Sequence, residues 1–98
     1  ASLDWQLSAQ ALSDKIRAFN PWPVAETELD GERVRIYQAR ALPGPASDAA
    51  PGTCVAASKA GIDIACGEGV LRLLSIQRDG GRVLSAADYL NARPLKTP

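Results

Sequence analysis

Three residues of the 98-residue chain stand out for the chemistry they could perform together, since Arg33, Arg35 and Tyr37 occupy alternate positions. Side chains two residues apart in a β-strand share one face of the sheet. Guanidinium groups beside an aromatic ring on an exposed strand can hold phosphates and stack a base. A second interpretation stays open, because Glu26 and Glu28 lie across from the arginines in the predicted hairpin and could form cross-strand ion pairs.

The other basic residues fall at turns and strand ends, where solvated charge is the ordinary interpretation. The further candidates for contact with nucleic acid are Lys59, Arg72, Arg78 and Arg82, and Arg93 is another basic position. Eleven Lys and Arg balance eleven Asp and Glu, so the formal net charge is zero. A nucleic-acid binder that acts alone is usually basic. Such a function would therefore require local separation of charge or a further domain.

Catalytic groups are scarce in this sequence. Histidine is absent, which removes the usual general base and excludes Ser–His and Cys–His pairs. No glycine-rich phosphate loop links a strand to a helix, and the spacing of Cys54 and Cys66 matches no zinc site. We therefore predict no catalytic residue, no metal and no cofactor site in this chain.

The same two cysteines are informative about the cellular compartment of the protein. Two thiols do not make a disulfide framework, and free cysteine is usually buried. The predicted strand pairing puts Val55 rather than Cys54 on the face of Ile64, so a Cys54–Cys66 disulfide is not expected.

No apolar run approaches the roughly 20 residues of a membrane helix, and the first ten residues do not resemble a signal peptide. We expect a cytoplasmic protein, and the absence of methionine indicates a piece of a longer one.

The first helix is predicted from Ser8, which can cap it, to about Asn20. Its apolar face carries Leu12, Ile16 and Phe19. The stretch that ends it is RAFNPWP, residues 17–23, in which two prolines restrict the backbone on either side of a tryptophan. We expect this tryptophan to pack where helix, turn and first strand meet. The predicted structural anchors are Phe19, Pro21, Trp22 and Pro23.

Residues 24–40 give the clearest hairpin signal. Asp30-Gly31 suits a two-residue type I′ turn, which requires two positive φ angles. The predicted register runs from the pair Leu29–Glu32 to the pair Ala25–Ile36. One face of this hairpin is apolar and the other charged, as in an antiparallel sheet with one buried side.

Three further short strands are predicted between residues 52 and 77, after an irregular loop rich in proline and glycine. A turn at Glu68-Gly69 would place Cys66 opposite Leu71 and Ile64 opposite Leu73. Leu74 then breaks the alternation of apolar residues, which predicts a β-bulge near Leu73.

Five or six short strands between two helices predict a mainly β fold, a small Greek-key barrel that is closed or partly open. An OB-like barrel is the leading candidate, and an SH3-like or other small barrel is the alternative. Ser85 with Asp88 resembles a capping box that opens the short C-terminal helix. We expect a single domain over residues 1–98, with a lead-in at 1–23, barrel strands at 24–78 and the final helix at 85–92.

Several longer stretches resemble one family. The strongest are IRAFNPWP (16–23), LDGERVRIYQA (29–39), PGT (51–53), IACGEGVLRLLSIQ (64–77) and RVLSAADYLNARPL (82–95). Together they resemble the C-terminal domain of the methionyl-tRNA formyltransferase family, and the resemblance covers nearly the whole chain except the loop at 41–50.

The resemblance implies a function that composition alone does not. Members of the family carry an N-terminal Rossmann-like catalytic domain, absent from this chain, that transfers a formyl group from 10-formyltetrahydrofolate to methionyl initiator tRNA. The OB-like C-terminal domain contributes contacts to the tRNA. The implied partners are therefore initiator methionyl-tRNA and the catalytic domain of the same chain, with no membrane and no metal. The alternative is the corresponding domain of a related folate-dependent formyltransferase that acts on a substrate other than tRNA.

Overall fold

A computed structural model describes residues 2–19, 24–42 and 48–95. The elements in chain order are α1 (Ala9–Phe19), β1 (Ala25–Leu29), β2 (Glu32–Leu42), β3 (Cys54–Ser58), β4 (Gly61–Ala65), β5 (Val70–Arg78), β6 (Val83–Ser85) and α2 (Ala86–Ala92). The predicted anchors Pro21, Trp22 and Pro23 lie outside the described residues, and Phe19 is described only as the last residue of α1. In the part of the chain that the structure describes, no helix has the length and apolar character needed to span a membrane.

Both predicted helix caps are confirmed. The Ser8 hydroxyl accepts a hydrogen bond from the backbone N–H of Ala11 at 3.1 Å, and the Ser85 hydroxyl accepts one from the N–H of Asp88 at 3.2 Å. Each bond satisfies a donor that the first helical turn would otherwise leave unpaired. The apolar face of α1 is buried as predicted, with Leu12 and Ile16 at its centre.

The predicted register of the first hairpin is confirmed over its whole length, from Leu29 opposite Glu32 to Ala25 opposite Ile36. Asp30 and Gly31 have φ angles of 53° and 84°, which are the two positive values that the predicted turn requires.

The six strands found in the described residues form one open antiparallel sheet in the order β1-β2-β5-β4-β3. β6 pairs with β5 on the same edge as β4. The mainly β class with a helix at each end is thereby confirmed. The predicted range of strands, residues 24–78, does not include β6, because a strand of three residues is too short to show a periodic pattern. The OB-like closure of the sheet into a barrel remains a prediction.

The predicted pairing of β4 with β5 is wrong by two residues. Ile64 lies opposite Leu71 rather than Leu73, and Ile62 lies opposite Leu73. The prediction assumed a two-residue turn, whereas Cys66 leaves the strand and its backbone N–H donates to Gly69 across a longer turn, at 3.0 Å.

The face predicted for β3 is also wrong. Cys54 lies opposite Ile64 and so shares its face, where the prediction placed Val55. A register shift between Cys54 and Ala56 inserts the extra residue. Both Cys54 and Cys66 are free thiols, the first half-buried and the second buried.

The bulge predicted near Leu73 is confirmed by the register of β2 against β5. Ile36 lies opposite Ile76, Gln38 opposite Ser75 and Ala39 opposite Leu73, so the pairing skips one residue on each strand. This change of phase explains the broken alternation of apolar residues in β5. The side chains that consequently reach the core from β5 are Leu71, Leu73 and Ile76.

Among the described residues, one apolar core joins both helices to the inner side of the sheet. Its largest fully buried side chain is Tyr89 of α2. Its aliphatic members include Leu12, Ile16, Val34, Ile36, Ile62, Ile64, Leu71, Leu73 and Ile76.

An irregular segment before α1, residues 2–8, crosses from β1 to the β4–β5 turn. The backbone N–H of Leu3 donates to the backbone carbonyl oxygen of Glu26 at 2.9 Å. The N–H of Gly67 is shared between the carbonyl oxygens of Trp5 and Leu7, at 2.8 and 3.0 Å. The Trp5 indole N–H donates to the Thr27 hydroxyl at 2.9 Å. The segment therefore connects two parts of the sheet that share no strand pairing, a role that no sequence pattern indicated.

Candidate nucleic-acid interface

The polar side chains of β2 and β5 that point away from the core form a surface that we call the outer face. They alternate with the buried residues of the same two strands, with the change of phase at the bulge. The outer face consists of Arg33, Arg35, Tyr37, Gln38, Arg40, Arg72, Ser75 and Gln77.

Arg33 and Arg35 lie at one end of the outer face and share one carboxylate. Arg33 Nη1 is 3.3 Å and Arg35 Nε 4.0 Å from Glu26, and Arg35 also lies 3.9 Å from Asp79. The predicted ion pairing is therefore present at Glu26 rather than at Glu28. Because the Arg33 side chain is 65% exposed, such pairs contribute on the order of 0–1 kcal/mol each, and a phosphate can compete for these arginines.

Tyr37 lies beside these arginines on the outer face. Its hydroxyl donates to the side-chain oxygen of Gln77 at 3.0 Å, across from β2 to β5. Next to it, the Ser75 hydroxyl donates to the Gln38 side chain at 2.8 Å. The middle of the outer face is thus polar and uncharged, with arginines at both ends.

Arg72 lies at the second arginine-bearing end, where it forms the ion pair with the shortest contact distance among the described residues of this face. Its Nε and one Nη donate to the two carboxylate oxygens of Asp63 at 2.8 and 3.0 Å. Asp63 is buried, and these hydrogen bonds, which outweigh the opposing effect of burial, raise the pKa of Arg72 above its ordinary value. Two parallel bonds of this kind fix the plane of the guanidinium group.

Gly61 makes room for the aliphatic part of Arg72. A Cβ at this position would lie 2.3 Å from Arg72 Cγ and 2.7 Å from its Cδ. We therefore expect the Gly61→Ala variant to lose about 1–2 kcal/mol of unfolding free energy in urea titrations. The added methyl group displaces Arg72 from Asp63, and the φ of 153° at Gly61 disfavours any side chain. In an Arg72→Ala background the same change should be clearly less destabilising. Equal losses in both backgrounds would contradict this account.

Arg40 lies at the same end of the outer face, and the sequence pattern did not identify it as a candidate. Strict alternation from Tyr37 would place Ala39 outward and Arg40 inward. The bulge reverses that phase, so that Ala39 faces Leu73 and Arg40 lies exposed, directly opposite Arg72. The broken alternation in β5 was the one signal that could have revealed it.

Arg78 does not belong to the outer face. It pairs with buried Val34, and its Nε and Nη2 donate to Glu32 at 2.9 and 2.8 Å. The buried Tyr89 hydroxyl donates to the other Glu32 oxygen at 2.8 Å, and Arg93 Nε lies 3.5 Å from that same oxygen. These contacts fasten α2 to the first hairpin and to β5.

Glu32, Arg78, Tyr89 and Arg93 form a group that we call the Glu32 cluster. The pKa values of Glu32 and Tyr89 are shifted within it. Burial raises the pKa of Glu32, but the hydrogen bonds from Tyr89 and Arg78 outweigh it and hold the pKa below its ordinary value. Glu32 therefore stabilises the fold above pH 4.5, and the contribution is lost as the pH falls through the folded-state pKa. Burial and the bond to Glu32 raise the pKa of Tyr89 far above its ordinary value of 10.0.

The remaining predicted positions, Lys59 and Arg82, are exposed and lie in different turns. Lys59 is in the β3–β4 turn and Arg82 precedes β6. Among residues 2–19, 24–42 and 48–95, neither lies within ion-pair distance of a carboxylate. The structure thus brings Arg33, Arg35, Tyr37 and Arg72 together on one surface and leaves Lys59, Arg78 and Arg82 off it.

The fold and this surface define a class: a small, mainly β domain with an arginine-bearing outer sheet face. The chain belongs to the formyl transferase C-terminal domain family, whose sequence profile matches residues 1–94. It is 62% identical over 93 residues to a methionyl-tRNA formyltransferase of Stenotrophomonas maltophilia and 60% identical over 93 residues to one of Xanthomonas campestris. These alignments cover 95% of the chain and 30% of each relative. The resemblance inferred from the sequence is confirmed.

A solved structure is also similar in fold. HypX from Aquifex aeolicus, in complex with tetrahydrofolic acid, aligns with a TM-score of 0.77 over 99% of this chain and 18% of its own, at 18% identity. At this level of identity the likeness establishes the fold alone.

Proposed function

We propose that this chain is the tRNA-contacting C-terminal domain of a cytoplasmic methionyl-tRNA formyltransferase. The supporting observation is the outer face, which presents four arginines on one surface of a chain that is about 60% identical to relatives of that name. The parent enzyme would transfer a formyl group from 10-formyltetrahydrofolate to methionyl initiator tRNA, in translation initiation. The catalytic groups would lie in the remaining part of the enzyme, since the relatives are more than three times as long as the aligned region.

The domain would act by positioning the tRNA. Arginines on a rigid sheet neutralise phosphates and fix the orientation of the nucleic acid without reading its sequence. Phosphate contacts dominate such affinity and make it strongly dependent on salt. A tRNA held at the outer face would keep its acceptor end close to the catalytic domain, because the two domains belong to one chain.

Weak binding is sufficient for this role. The chain has zero net charge, and three of the four outer-face arginines lie within 4.0 Å of a carboxylate. We therefore expect low affinity at physiological salt. Because the catalytic domain binds the same tRNA, the second contact is intramolecular and gains from a high effective concentration.

Titration of the chain with initiator tRNA at several salt concentrations tests the proposal. We expect measurable binding at about 50 mM salt and a steep loss towards about 200 mM, since each phosphate contact adds to the salt dependence. The double variant Arg35→Gln/Arg40→Gln should reduce the slope of log K against log salt by about 1–2.

A matched control removes the same charge elsewhere. Lys15 and Arg17 are exposed on α1, which packs on the inner side of the sheet, so Lys15→Gln/Arg17→Gln should leave the slope unchanged. No binding of the unaltered chain at about 50 mM salt, where electrostatic affinity is large, would refute the tRNA role. That result would favour the alternative, a domain that shapes the site of a formyltransferase with a different substrate.

A further inference from the structure

Arg40 and Arg72 form an arrangement that the ion pairs of the fold do not explain. They lie directly opposite each other on β2 and β5, and like charges in this position destabilise a sheet. Asp63 lies opposite Arg72 on its other side, on β4. The three residues thus form one row that runs from the outer face onto β4, in the order Arg40, Arg72, Asp63, with a net charge of +1.

Asp63 holds the guanidinium group of Arg72 in place but occupies only some of its N–H donors. Asp63 takes two of its five N–H donors, and Gly61 leaves space for its stem. The remaining three donors are not bonded to Asp63, and the side chain is 24% exposed. The side chain is therefore oriented before any ligand arrives, which reduces the entropy lost on binding.

The opposite arginine is available. Arg40 is exposed, and within the described ranges 2–19, 24–42 and 48–95 it forms no ion pair. At the other end of the outer face Arg33 and Arg35 both lie next to Glu26. An approaching anion therefore meets less competition from carboxylates at Arg40 than at Arg33 or Arg35.

We propose that Arg40 and Arg72 are a two-arginine phosphate site, in which Asp63 is the positioning residue for Arg72. The expected occupant is a backbone phosphate of the tRNA, so the inference rests on the proposed function. Its several oxygens can accept from both guanidinium groups at once, which is the pairing that arginine makes best. The repulsion between the two arginines is then relieved by the ligand.

Two exposed arginines of β2 provide a matched pair for the first test. Arg40→Gln should weaken binding of initiator tRNA to the chain by about fivefold at 50 mM salt and reduce the salt slope by about 1. Arg33→Gln removes the same charge from the other end of the outer face and should weaken binding by less than about twofold. The reverse order of effects would overturn the site while leaving the proposed function intact.

Asp63→Asn separates positioning from simple charge. The variant makes the chain more positive, so electrostatic attraction alone predicts tighter binding of tRNA. If Asp63 positions Arg72, binding should instead weaken by about threefold, since the asparagine amide cannot hold the guanidinium as firmly as a carboxylate. Thermal unfolding of the variant establishes that it is folded, and tighter binding by a folded variant would overturn the positioning role.

A small anion distinguishes failure of the site from failure of the function. Inorganic pyrophosphate should shift the Arg72 Nε–H resonance in ¹H–¹⁵N spectra of the unaltered chain, and the shift should be lost in Arg40→Gln. A shift without tRNA binding would retain the phosphate site and reject the tRNA role. An unperturbed Arg72 resonance would overturn the site, whatever the tRNA titration gives.

Discussion

Replacing Gly67 with alanine is expected to lower the free energy of unfolding by about 3 kcal/mol. A Cβ at this position would lie 1.8 Å from the carbonyl oxygen of Gln6 and 2.6 Å from its carbonyl carbon. The obstacle is backbone, so it cannot turn aside as a long side chain can. The segment 2–8 must move away from the β4–β5 turn, and the bonds from the Gly67 N–H to Trp5 and Leu7 are lost with it.

Urea unfolding followed by tryptophan fluorescence measures this loss, because Trp5 lies in the displaced segment. Gly81→Ala is the matched control, since a Cβ there meets only ordinary contacts at 3.4 Å or more. Its effect should stay within about 0.5 kcal/mol. Similar stabilities of the two variants would mean that the segment 2–8 does not support the sheet as described.

Replacing Tyr89 with phenylalanine is expected to cost about 2 kcal/mol at neutral pH. The change keeps the buried ring and removes only the hydroxyl that donates to Glu32. Glu32 then loses one of the donors that offset its removal from water, and a hydrogen bond to a charged group is stronger than one between neutral groups. Tyr37→Phe is the control, because its hydroxyl donates to neutral Gln77 on the outer face, and it should cost less than about 1 kcal/mol.

The effect of Tyr89→Phe should depend on pH in a defined direction. Because the folded-state pKa of Tyr89 is raised above its ordinary value of 10.0, its contribution is fully present below pH 10 and declines as the pH rises further. The stability difference between the unaltered chain and the variant should therefore shrink by up to about 1.4 kcal/mol per pH unit above pH 10. Urea titrations between pH 8 and 11 check this, and a constant difference would contradict the burial of the phenol against Glu32.

These stability contacts and the outer face lie on different parts of one small domain. The Glu32 cluster fixes α2 at one end of the sheet, whereas the segment 2–8 joins β1 to the β4–β5 turn. Both add hydrogen bonds between elements of the fold, and we expect these cross-links to hold the outward arginines at fixed separations. Preorganised cations bind phosphate with a smaller loss of entropy. The proposed tRNA contact therefore depends on contacts remote from it.

The features that the sequence determined are those governed by near neighbours. The two helix caps and the Asp30-Gly31 hairpin with its full register were predictable, because cap hydroxyls and a type I′ turn act within a few residues. The bulge near Leu73 was also predictable from its broken alternation. The family was evident from continuous stretches such as IRAFNPWP (16–23) and LDGERVRIYQA (29–39).

Tertiary structure alone decided the pairing of β4 with β5 and the inward position of Arg78. It also decided the outward position of Arg40, for which the broken alternation in β5 was only an indirect signal. The four-residue turn at 66–69 shifted the first, because a longer turn does not specify register as a two-residue turn does. Glu32 and Tyr89, which are 57 residues apart, meet only when α2 packs on the sheet. Arg40 points outward because the pairing skips one residue on each strand, which reverses the alternation of inward and outward side chains along β2. The candidate site thus arises from packing over long sequence separations, which local periodicity does not encode.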